Sequence, residues 1–142
     1  GRCVGVCPQK TIHFLDGNEE EILNKKIAEY AFAVVKDKPS FHINVIMDVS
    51  PNCDCHGEND AAIIPNVGMM CSFDPVAVDI AAADMCLKQP IIGNSAAGES
   101  HHHSDDCFCK SHPNTDWRSQ ISQGEKIGFG SSHYELVEIT KQ

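Results

Sequence analysis

Between Asn18 and Pro39 apolar residues recur as Leu23, Ile27, Tyr30 and Val34, the i, i+4, i+7, i+11 spacing of one face of a helix. Asn18 as N-cap with Glu21 three residues on predicts the start, and Lys36 and Lys38 suit the last turn. The helix is expected to pack through that stripe alone. After Pro39 the period falls to two: Phe41, Ile43, Val45 and Met47 alternate with His42, Asn44, Ile46 and Asp48, which predicts a strand over about 41–48. The apolar run Ile63 to Cys71, with Gly68 inside it, reads as a second, buried strand ending at Ser72. Asp74-Pro75 opens a second helix, a capping carboxylate followed by proline at the first helical position. Its expected core face is Val76, Ile80, Ala83 and Leu87, with Asp79 just beside it needing solvent, a partner or a metal. Residues 89–114 show no period and read as a long functional or mobile loop. A third helix is expected from about Thr115, through Trp117, Ile121 and Ile127, to Gly128 or Gly130. Tyr134, Leu136, Val137 and Ile139 predict a final strand. The order predicts an α/β fold, a small mixed sheet with helices packed against it.

The chain of 142 residues has a 42% apolar composition, enough for one core without cysteine staples. Its formal charge of −9 disfavours nucleic acid and anionic membrane surfaces as partners. No apolar run approaches the roughly 18 residues needed to cross a bilayer, and no secretory signal is visible. A cytoplasmic protein, present here as a fragment, is the expectation.

Eight cysteines therefore call for a chemical explanation. Cys3-Val-Gly-Val-Cys7-Pro8 has the last spacing of the bacterial ferredoxin run, in which closely placed thiolates grip corners of a [4Fe–4S] cluster and the cysteine before proline turns to another. The two preceding cysteines of such a run are absent, so the cluster is expected to be incomplete, and residues 1–12 read as the tail of a truncated ferredoxin-like segment ahead of a single α/β domain over 13–142. Cys53-Asp-Cys55-His56 follows the first strand. Two thiols one residue apart are poorly placed for a mutual disulfide but suit one soft ion, with His56 as a third ligand. Cys107-Phe-Cys109 with His112 repeats the pattern after His101, His102 and His103. If the two loops meet, their four thiolates satisfy tetrahedral Zn²⁺ or an iron–sulfur cluster; otherwise Cys107 and Cys109 are ordinary thiols in a loop. Cys71 and Cys86 lie in apolar runs and are expected to be buried and structural. Trp117 is expected to anchor the third helix on the core.

No G-x-S-x-G, P-loop lysine, H-E-x-x-H or dinucleotide-binding glycine run is present, so no catalytic constellation is recognisable and any enzyme here is a redox one. Taken in order, Asn44-Val-Ile-Met-Asp48-Val-Ser-Pro-Asn-Cys53-Asp-Cys55, Ile64-Pro-Asn-Val-Gly68, Asp74-Pro-Val-Ala-Val-Asp79, His112-Pro-Asn-Thr-Asp116-Trp117, Gly128-Phe-Gly130-Ser and Tyr134-Glu-Leu136 resemble the prokaryotic family called domain of unknown function 362. The resemblance implies that Cys3 and Cys7 close an inserted iron–sulfur segment and that the remainder is the C-terminal part of a larger α/β domain. It also implies that Cys53-Asp-Cys55 is a functional loop with Asp48, Asp74 and Asp79 nearby.

The leading expectation is thus an iron–sulfur protein passing single electrons between a ferredoxin-like cluster and the Cys53–Cys55 loop, its acidic surface suited to a basic redox partner protein. The rival is a structural Zn²⁺ or interaction domain using Cys53, Cys55 and His56 or Cys109. A disulfide-stapled secreted protein ranks last. An unfinished sheet edge offers a route to a homodimer.

Overall fold

In the computed structural model of this chain the described residues are 6–9, 11, 19–53, 56, 57 and 59–139. Cys3, His13, the Asn18 cap and Cys55 lie outside them. Among them the fold is mixed α/β, a two-stranded antiparallel sheet packed with four helices. In chain order these are α1 Glu19–Val35, β1 His42–Ile46, β2 Gly68–Ser72, α2 Pro75–Leu87, α3 Cys107–Ser111 and α4 Arg118–Lys126.

The strands pair with Ile43 opposite Cys71 and Val45 opposite Met69. Residues 134–139, expected as a further strand, form none, so the sheet is antiparallel rather than mixed. That segment is tethered by its first side chain: Tyr134 Oη donates to Asp84 Oδ2 at 2.7 Å. Gly68 opens β2 at φ +136°, a conformation that side chains disfavour, and Val67 N donates to Ile46 O at 2.9 Å just before it.

α2 begins as its sequence demands. Asp74 accepts the Ala77 amide at 2.9 Å with Pro75 at the first position, and the other carboxylate oxygen accepts Ser131 N at 2.9 Å. Gly130 makes this tie feasible, since a Cβ there would stand 2.0 Å from Asp74 Oδ1. The expected stripe is displaced: of Val76, Ile80, Ala83 and Leu87 only Val76 is buried, the other three being half-buried. Val76, Ala77, Val78, Ala81, Ala82 and Cys86 are buried, as befits a helix apolar on most sides. Ala82 and Cys86 join Ile46, Ile63, Ile64, Ala97 and Cys107 in the main core.

α1 departs further from expectation. Leu23, Ile27, Tyr30 and Val34 are exposed, and Ala28 is the buried position. The helix is rotated because its polar side chains find partners near α4: Asn24 donates to Asp116 O at 2.8 Å, Gln123 donates to Glu29 Oε1 at 2.9 Å, and Phe32 meets Phe129 at 5.5 Å between centroids. Lys36 and Lys38 follow the last turn, and Lys38 Nζ caps the Val34 carbonyl at 2.9 Å.

The 89–114 stretch carries structure that the absence of a period concealed. Ile92 N donates to Ile63 O at 2.9 Å, Ser95 and Ala97 are buried, and α3 sits near its end. No described helix is long and apolar enough to cross a membrane.

Candidate functional site

The loop carrying Cys53 is built at its base. β1 ends at Ile46, Asp48 turns with φ +48°, and its amide donates to Asn66 Oδ1 at 2.8 Å. Ile63 N then reaches Val49 O at 2.8 Å, so the loop leaves and returns at one place. Asn59 clamps it: its amide nitrogen donates to Ser50 Oγ and Asn52 O, both at 2.9 Å, and its oxygen accepts Asn52 N at 3.2 Å. Inside the clamp His56 N donates to Cys53 O at 2.9 Å, which keeps the backbones of these two residues close.

α3 supplies the opposite wall. Asp106 caps it, accepting Phe108 N at 2.9 Å and Cys109 N at 3.0 Å on one oxygen. The other oxygen takes Trp117 Nε1 and Arg118 Nη1, each at 3.1 Å, while the guanidinium lies 4.2 Å from the Trp117 ring centre. Burial alone would raise the Asp106 pKa; the bonds from Cys109, Trp117, Arg118 and Phe108 outweigh it and hold the carboxyl below its ordinary value. Phe108 packs edge-on to Trp117 at 5.7 Å, so the tryptophan anchors α3 as well as the start of α4.

Between these walls lies a cavity of about 440 Å³ lined by Cys53, His56 and His112, with Val49, Phe108 and Trp117 among its apolar surfaces. His112 also hydrogen-bonds the Pro51 carbonyl through Nε2 at 2.5 Å, joining segments 61 residues apart. Residues from the two cysteine-bearing loops thus do meet.

They do not meet through the second cysteine pair. Because 107–111 is helical, residues two apart point to different sides. Cys107 is 1% exposed in the core, where burial, then Cys86 and Asp106, push its thiol up to about 11. Cys109 is half-buried, and burial followed by the nearby Asp106 raises its thiol too. Neither borders the cavity. Cys7 lies 3.4 Å from Thr11 Oγ1, and His101, His102 and His103 are exposed. Among the described residues, no three His, Cys, Asp or Glu are grouped to hold a metal ion. Cys71, Cys86, Cys107 and Cys109 are free thiols.

Of the acidic positions, Asp74 is occupied as a cap and Asp79 Oδ1 accepts Asn44 Nδ2 at 2.9 Å. Asp79 borders a separate groove of about 490 Å³ between α1, β1, α2 and α4. From the sequence, Asn59, which shapes the cavity, is passed over, and Asp106 is placed only beside Cys107 without being read as a helix cap. A readable signal existed for Asp106, an aspartate three residues before Cys109 at a helix N-cap spacing.

Fold and cavity define a mixed α/β protein with a cysteine–histidine pocket between two non-contiguous loops. The chain belongs to the domain of unknown function (DUF362) family, whose model matches residues 2–84, more than half of its length. That match takes in Cys3, Cys7 and the Cys53 loop and ends before α3. No curated protein and no solved structure matches the chain.

Proposed function

We propose that this domain is a metal-binding protein of single-electron transfer, with Cys53, Cys55, His56 and His112 as donors at the cavity and Cys3 and Cys7 serving a ferredoxin-type [4Fe–4S] segment. One observation carries the reading: His112 is brought to the pocket of Cys53 and His56 across half the chain. A thiolate-and-imidazole set suits soft and borderline ions; Cys53, His56 and His112 line one cavity without being grouped at ligand distance, so binding would draw them together, with Cys55, next to His56 in the sequence, completing the set. The chain's residues supply the clamp that presents the donors and apolar walls that limit water; an iron–sulfur centre bound there would supply one-electron chemistry. The net charge of −9 suits a basic redox partner. The imidazole share favours, as a second reading, a structural Zn²⁺ held by the same residues.

Anaerobic purification without a nickel column, followed by Fe, Zn and sulfide analysis and visible absorption, tests this. Iron and sulfide in the wild type, reduced in both Cys53→Ser/Cys55→Ser and His112→Ala, are the expected result. Zinc alone, lost in the same variants, replaces the redox reading with the structural one. Absence of metal after reconstitution overturns both.

A further inference from the structure

α2 covers one side of the two-stranded sheet; among the described residues no element covers the other. On it the cross-strand pairs Ile43–Cys71 and Val45–Met69 lie beside Phe41 and Phe73, whose rings pack edge-on at 5.0 Å. None of these six side chains is charged and all are exposed, Val45 by 56%, Met69 by 74% and Phe73 by 80%. Cys71, expected to be buried, stands in the middle of this surface.

We infer that this face is the interface of a homodimer in which the sheets of two copies stack face to face. Area is the first argument. The six residues present on the order of 600 Å² of apolar surface, at the top of the range for the largest patch on a typical monomer. Two copies stacked through it would bury about 1,200 Å², the lower bound of stable interfaces. Shape is the second, because the exposed side chains of an antiparallel pair can interdigitate with those of a second copy at the roughly 10 Å spacing of packed sheets. Charge is the third. None of the six residues carries a charge, so no charge would be desolvated at the seam, while the −9 that each chain carries elsewhere opposes association and would steer a basic partner to that acidic surface instead.

Sedimentation equilibrium across the micromolar range should show the mass rising from 15.5 kDa to its double. Val45→Lys, placing like charges across the interface, should raise the dissociation constant about a hundredfold or more. Maleimide labelling of Cys71, read by peptide mass, should slow as wild-type concentration rises and stay constant in Val45→Lys. A monomer at every concentration overturns the inference, including one whose Cys71 is protected throughout because another part of the polypeptide covers the face. So does a dimer that labels Cys71 freely, or a folded Val45→Lys that dimerises as well as the wild type. Should Val45→Lys fail to fold by circular dichroism, the wild-type Cys71 series decides alone.

Discussion

The two faces of the sheet invert the usual relation between composition and burial. The covered face presents His42, Asn44, Ile46 and Met70 toward α2, while the bare face presents Ile43, Val45, Met69 and Cys71. The covered face tolerates polar groups because they are paired: Asn44 donates to Asp79, and His42 Nε2 lies 3.1 Å from Ser40 Oγ. The bare face, with more apolar surface and no covering element among the described residues, contributes little to the stability of a single chain. Alternation marks a strand; which side gains a neighbour depends on partners for the polar side.

The largest separation between the faces should come from truncation. Ile64→Ala, at a residue 0% exposed beneath the covered side, should cost about 2–5 kcal/mol, while Met69→Ala in dilute solution should cost within about 0.5 kcal/mol; urea denaturation of both measures the contrast. Asp74→Ala removes the α2 cap and the tie to Ser131, and should cost about 2 kcal/mol by the same assay. Gly130→Ala should destabilise much less in the Asp74→Ala background than alone, because the carboxylate it strikes is gone. The smallest effect is pH dependence from Asp106. Its folded pKa is lowered, so its contribution is present above the ordinary value of 3.8 and is lost as pH falls through the folded value. Asp106→Asn should flatten the acid limb of the stability–pH curve, read by thermal melts in the acid range.

These contrasts show where the chain was legible. Asp74-Pro75 named the start of α2 because a cap and a proline act on adjacent backbone, and the end of α4 followed from Gly128, which adopts φ +74°. The strand over 41–48 was found by its period, and the pocket residues Cys53, His56 and His112 by their chemistry. Burial was harder. Leu23, Ile27, Tyr30 and Val34 form a regular stripe, yet Asn24 and Glu29 fix the helix by bonds to Asp116 and Gln123, more than ninety residues away. α3 was missed because five residues are too few to show a period, and with it went the divergence of Cys107 and Cys109.

The contact between His112 and Pro51 has a consequence for the order of folding. Closing a loop of 61 residues costs on the order of 4 kcal/mol in chain entropy before any contact offsets it. The helices and the β1–β2 pair close shorter circuits, so the cavity wall is expected to form after them. Substitutions at His112 should then speed unfolding while leaving the refolding rate nearly unchanged, the signature of an interaction absent from the transition state.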